Sequence, residues 1–157
     1  MKIAPHIAEK FPRLLEAVNF TVGSREGGSV SWENNVSESL SIVDAETDKL
    51  TWEFKIEHHH CNQLSNLHGG CVATLIDMCS SVALLVAGGK QWQIIGISTD
   101  LSISYLRGIA EGETIHIVCE VQRVGKTLAS IYTKIYDGEN RLSYTGSHTK
   151  FNIDSRL

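Results

Sequence analysis

The chain has no basic cluster. Its 14 Lys and Arg are outnumbered by 18 Asp and Glu, for a formal net charge of −4, and the cations are scattered. A nucleic-acid partner needs a concentrated positive face to neutralise phosphates, so no nucleic-acid partner is expected. No Cys-x-x-Cys pair occurs among Cys61, Cys71, Cys79 and Cys119. Cys71 and Cys79 stand in an apolar segment, where free thiols behave as small hydrophobes. A reducing compartment without disulfides is the expectation. No long apolar stretch opens the chain, because Lys2, Lys10 and Arg13 mix there with Glu9 and Glu16. No secretory signal is therefore expected, and the acids count against a mitochondrial transit peptide. No membrane span is expected either: residues 71–87 fall short of the roughly 20 apolar residues a span needs, and they contain Asp77 and several hydroxyls. Internal repeats and low-complexity blocks are also missing.

What remains is an ordinary globular composition, 42% hydrophobic and 20% charged over 157 residues. That is enough to bury a core. Residues 7–18 read as a short amphipathic helix, with Phe11, Leu14, Leu15 and Val18 on one side. Residues 19–35, rich in Gly, Ser and Asn, read as a loop or a weak extended segment. Residues 1–36 thus form an N-terminal extension, and 37–157 the main domain.

In "KLTWEFKIE", Leu50, Trp52, Phe54 and Ile56 alternate with polar residues, the mark of a strand with one buried face. "LSIVDAE" precedes it across Thr47 and Asp48. Residues 69–87 predict a long buried helix, stopped by Gly88 and Gly89. Alternation returns in "IIGISTDLSISYL", where Ile95, Ile97, Leu101, Ile103 and Tyr105 share a parity opposite to Ser98 and Asp100. It returns again at Ile115, Ile117, Cys119 and Val121. "RVGK" and "DGEN" mark tight turns. The pattern predicts an α+β fold: a sheet ending in a four-stranded meander, curled around one helix that is apolar nearly all round.

Asp77 is the single charge inside that helix. An ionised carboxylate is costly to bury, and Asp is a mediocre helix former. It either faces solvent or bonds to a neighbour such as Ser81, or it is a catalytic base or nucleophile. "HGG" at His68–Gly70 favours the second reading. Glycines there leave a ligand unobstructed, and first-turn amides have no partners within the helix, so they can hold an anion or a developing oxyanion. Asp77 lies about 12 Å further along the axis at ~1.5 Å per residue, out of reach of a carbonyl held at Gly69. A second helix, antiparallel across a two-fold dimer, would bring its Asp77 beside that N-terminus and make two composite sites.

The motif N-x-x-x-x-x-H-G-G-x-x-x-x-L-x-D, from Asn62 to Asp77, resembles the hotdog-fold acyl-CoA thioesterases, in particular the PaaI-like group and the small eukaryotic thioesterase-superfamily members. "GISTD" at Gly96–Asp100 and "GKTLA" at Gly125–Ala129 extend the likeness, which covers roughly residues 40–151. The resemblance implies a curved antiparallel sheet around one helix, a homodimer joined sheet edge to sheet edge, and a dimer-of-dimers tetramer. It implies hydrolysis of acyl-CoA to free acid and CoA with no cofactor, coenzyme A being part of the substrate.

Carried over by position, Asp77 would be base or nucleophile from across the interface. The Gly69 amide would polarise the thioester carbonyl, and Asn62 would help hold that carbonyl or the water. Ser98 would position water, and His68 would brace the loop and substrate. Coenzyme A would lie against Asp100, Tyr105, Arg107, Arg123, Gly125, Lys126, Thr127 and His148. Medium- to long-chain fatty acyl groups are implied by the eukaryotic relatives and aromatic ones by bacterial relatives. A non-catalytic acyl-CoA-binding module is the alternative of another class. The cytoplasm is the first expectation for location, the mitochondrion the second. "EHHHC" at residues 57–61 reads as a strand end, and no metal is expected there, because histidines on an extended chain alternate in direction and no His-Glu-x-x-His accompanies them.

Overall fold

In a computed structural model, which describes residues 1–156, the chain begins with β1 (Lys2–Ile3), α1 (Pro5–Lys10), α2 (Pro12–Glu26) and α3 (Asn34–Ser37). There follow β2 (Leu40–Glu46), β3 (Lys49–Lys55), α4 (Gly69–Ala83), β4 (Ile97–Tyr105), β5 (Thr114–Val124), β6 (Leu128–Tyr136) and β7 (Leu142–Phe151). All strands join one sheet in the order β1-β2-β3-β5-β6-β7-β4.

The alternating segments behave as their period requires. Leu50, Trp52 and Phe54 on β3, and Ile115, Ile117 and Cys119 on β5, are fully buried. The sheet curls round α4, which buries Val72, Leu75, Ile76, Cys79 and Ala83 against it. Each large aliphatic side chain so buried stabilises the fold by about 1.5–3 kcal/mol. Gly146 on β7 lets the helix settle, since a Cβ there would come within 2.8 Å of Ile76. A 3-10 turn, Leu84–Val86, extends α4. The apolar stretch 69–86 therefore has the length and composition of a membrane-crossing helix, contrary to the length counted from sequence; half of it is buried within this fold.

Four expectations from sequence change. The predicted terminal helix is two helices, broken at Phe11 because Pro12 cannot continue α1. Residues 19–35 are not all loop: α2 runs on to Glu26 and stops at Gly27 and Gly28, the latter at φ 81°. Ile7, Leu14 and Val18 join the main core, and β1 pairs in parallel with β2. The final meander has three strands, β5-β6-β7, because β4 lies beyond β7 and pairs with it. No turn signal joins β4 to β5; instead residues 106–113 cross to β3, docking Ile109 O on Leu67 N–H. Finally, "HHH" at His58–His60 is a 3-10 turn, not extended chain, and the buried His60 bonds the Asn35 carbonyl through Nε2. No group of His, Cys, Asp and Glu able to hold a metal ion is found among the described residues.

Candidate active site

The start of α4 is built by His68. Its Nδ1 accepts the Gly70 amide at 2.9 Å, capping the helix and fixing the ring proton on Nε2. The Val72 amide bonds the His68 carbonyl. The Gly69 amide has no acceptor among the described residues, so of the two glycines it is Gly69 that offers a free donor. The Tyr105 hydroxyl donates to the Gly69 carbonyl at 3.1 Å, and its ring would lie 3.3 Å from a Cβ at that position. Asn62 makes an Asx turn: its Oδ1 accepts the Leu64 and Asn66 amides. That holds the side chain still and leaves its Nδ2 donors unused. Asn62, Gly69, Tyr105 and Arg107 line one shallow pocket of about 340 Å³ together with Leu106 and Tyr144.

Asp77 lies two turns further along α4, with its side chain 47% exposed. Ser98 Oγ donates to Asp77 Oδ1 at 2.8 Å. Uniform alternation along β4 would have put Ser98 on the face away from the helix. A β-bulge at Thr99 reverses it: Ser98 pairs with Lys150 and Asp100 with Thr149, leaving Thr99 unpaired. Residues opposite one another share a face, so Ser98 points inward with Leu101, Ile103 and Tyr105. Ile97 points outward, 45% exposed. Bulges re-aim side chains in this way beside reactive sites. Asp100, next to the inward Leu101 and opposite Thr149, keeps the outward place that alternation gives it, away from Asp77.

Beneath Asp77, β7 carries two polar side chains on its buried face. His148 has no exposed surface. Its Nδ1 is 2.6 Å from Ser80 Oγ, and its Nε2 is 3.4 Å from Asp77 Oδ1, off the line of a hydrogen bond. It therefore sits under the carboxylate and does not border an open groove for coenzyme A. Lys150, 4% exposed, donates from Nζ to Ser81 Oγ at 2.7 Å and to Ser98 Oγ at 3.3 Å. The sequence reading passed over Lys150 and Ser80. The signal was available: Tyr144, Gly146, His148 and Lys150 share the inward parity of β7, and two charged-type residues on a buried face call for a reason.

Burial, then the Lys150 charge, holds the His148 imidazole down to about 4. The folded protein keeps it neutral where an unfolded histidine, near 6.5, takes up a proton. Between those values the unfolded state binds more protons. Stability is therefore complete above about pH 6.5 and falls by up to about 3 kcal/mol as pH drops towards 4. Urea midpoints measured across that range should decline more steeply for the wild type than for His148→Asn. Equal slopes would show that His148 is protonated in the folded state.

The remaining candidates lie in two places. Arg107 and Tyr105 are at the Gly69 end of the sheet. Arg123 at the end of β5, with Gly125, Lys126 and Thr127 in the β5–β6 turn, lies near Ile97 and Phe151 at the opposite end. Along β4 these ends are roughly 26 Å apart at ~3.3 Å per residue, so one chain does not bring its cationic groups together.

Comparison with known proteins bears on this arrangement. A family model described as the thioesterase superfamily matches residues 64–144. Mouse acyl-coenzyme A thioesterase 13 is 36% identical over 118 residues, covering 74% of this chain and 82% of that protein. Among solved structures, mouse thioesterase superfamily member 2 is 31% identical with a TM-score of 0.72, covering 90% of this chain and 96% of that one. The zebrafish thioesterase superfamily member 2 is 28% identical with a TM-score of 0.74, covering 84% and 94%.

Proposed function

The chain belongs to the thioesterase superfamily, and from that membership we propose that it hydrolyses fatty acyl-coenzyme A thioesters at sites shared by two protomers. Thioester hydrolysis of acyl-CoA is the coarse activity its relatives' names carry. The fatty acyl preference, the residue roles and the assembly go beyond those names and rest on the geometry of the chain.

β4 supports the dimer. It is an edge strand of nine residues bearing a single charge, Asp100. Proteins guard such edges or pair them. Pairing β4 with its copy about a two-fold axis sets the Gly69 end of one protomer against the Arg123–Lys126 end of the other. It also sets each α4 antiparallel to the partner's, so that Asp77 approaches the partner's Gly69. Arg107 of one protomer, with the partner's Arg123 and Lys126, then supplies cations for the phosphates of coenzyme A. The half-buried stripe of Cys71, Met78 and Val82 on α4, continued by Leu85 in the 3-10 turn after it, offers an apolar wall for an acyl chain.

The chemistry follows. The Gly69 amide and Asn62 Nδ2 polarise the thioester carbonyl and hold the oxyanion. The partner's Asp77 takes a proton from water while its Ser98 accepts the water's other hydrogen. The water oxygen bonds to the carbonyl carbon. The carbon–sulfur bond then breaks, coenzyme A leaves as a thiolate, and the proton on Asp77 passes to that thiolate, giving the free acid and coenzyme A with the carboxylate restored. A thiolate is a good leaving group and needs no separate acid.

The observation that carries this reading is the Ser98 hydroxyl 2.8 Å from Asp77 Oδ1, which leaves Oδ2 free beside an oriented hydroxyl, as a general base requires. The test is thiol release from acetyl-, hexanoyl-, lauroyl-, palmitoyl- and phenylacetyl-CoA. Expected is a kcat/KM that is highest for the lauroyl and palmitoyl substrates. Phenylacetyl-CoA as the best substrate would replace the fatty acyl reading with the aromatic one. Tight binding without thiol release would make the protein an acyl-CoA-binding module.

A further inference from the structure

Lys150 is buried with its charge, and no carboxylate lies within ion-pair distance of it among the described residues. Its Nζ is spent on two serine hydroxyls, Ser81 on α4 and Ser98 on β4. An ammonium stripped of water costs several kcal/mol, and burial holds its proton affinity below the ordinary lysine value. A methionine would fill the same volume without that cost. Nothing in the packing of β7 against α4 asks for a cation there, so the position is expensive for stability alone.

The hydrogen-bond directions give the reason. An ammonium can only donate. With Lys150 donating to Ser98 Oγ, the serine proton is turned away from β7 and towards Asp77 Oδ1, which lies 2.8 Å from Oγ. That leaves one Ser98 lone pair unused beside the Asp77 carboxylate. Ser81 anchors the ammonium from the far side at 2.7 Å. We propose that Lys150, held by Ser81, is a positioning residue that locks the Ser98 hydroxyl as donor to Asp77, so that the two together present a fixed pair of acceptors to the hydrolytic water. The role rests on the thioesterase reading above, and it acts through Ser98 without touching substrate.

Lys150→Met tests it. The expected result is a kcat for lauroyl-CoA lowered at least tenfold, KM within twofold of wild type, and a melting temperature that does not fall. A purely structural lysine would lower the melting temperature and leave kcat per folded site intact. In the Ser98→Ala background, Lys150→Met should change kcat by less than twofold, because the group through which it acts is gone. A Lys150→Met kcat within twofold of wild type, or losses that multiply in the double variant, would overturn the proposal. If Lys150→Met does not fold, Ser81→Ala, which frees the ammonium but keeps its charge, decides: kcat should fall at least threefold with KM unchanged, and an unchanged kcat overturns the proposal. Wild-type protein that releases no thiol would defeat this role together with the broader reading, whereas an active Lys150→Met defeats this role alone.

Discussion

Replacing Asp77 by Ala should lower kcat for a fatty acyl-CoA by about a thousandfold, in the range that a general base contributes, with little change in KM. The carboxylate contacts water in the proposed reaction and not the ground-state substrate, so the loss belongs to the chemical step. Stability should hold or rise. Asp77 is half exposed and packs no core, and Ala is the better helix former by several tenths of a kcal/mol. His148, buried and neutral beneath it, keeps its Ser80 partner. Steady-state kinetics on lauroyl-CoA beside a thermal melt would separate the two effects. Turnover within tenfold of wild type would remove Asp77 from the chemistry and return it to the solvent-facing reading that its helix position also allowed. Asp77→Asn should be almost as slow, since the amide keeps the shape and the Ser98 contact but accepts no proton.

Much of this site could be read before any coordinates. The isolated carboxylate in an apolar helix, the glycine pair at its start and the rise per residue between them already called for a second protomer. The buried face of β3 and β5 was equally plain, because period-two alternation there is unbroken. What escaped the sequence has definite physical causes. A bulge is one extra residue with no composition of its own, so the inward turn of Ser98 could not be counted from alternation; it followed only from the family likeness. Strand order was misread for a related reason: residues 106–113 carry no hairpin turn, and a chain that crosses to β3 has no local signature. The polar layer under Asp77 was hidden in plain view. His148 and Lys150 hold the inward parity of β7, but a buried lysine is rare enough that parity alone does not single Lys150 out. The second half of α2 was missed because Gly23 sits inside it, tolerated at the usual cost to a helix interior.

The proposed composite site makes a prediction that no single-chain site could share. Asp77→Ala and Asn62→Ala should each be nearly inactive, the second by about a hundredfold or more, as for the loss of one oxyanion donor. Co-refolded in equal amounts, the two should recover about a quarter of wild-type activity. Random pairing makes half the dimers mixed, and in each mixed dimer one of the two sites draws Asn62 from the Asp77→Ala chain and Asp77 from the Asn62→Ala chain. That site is whole, and the other carries both lesions. If instead each chain used its own Asn62 and its own Asp77, every site in every mixture would carry one lesion and no activity would return. The geometry of one protomer already argues for the first outcome: two helical turns separate the free Gly69 amide from Asp77, and the strand that would join two protomers is the one exposed sheet edge that also carries Ser98. Recovery should vanish when Ser102→Pro is added to both chains, since proline on β4 would break the edge pairing on which the shared sites depend. Recovery that survives the proline would place the shared interface on some other surface than β4.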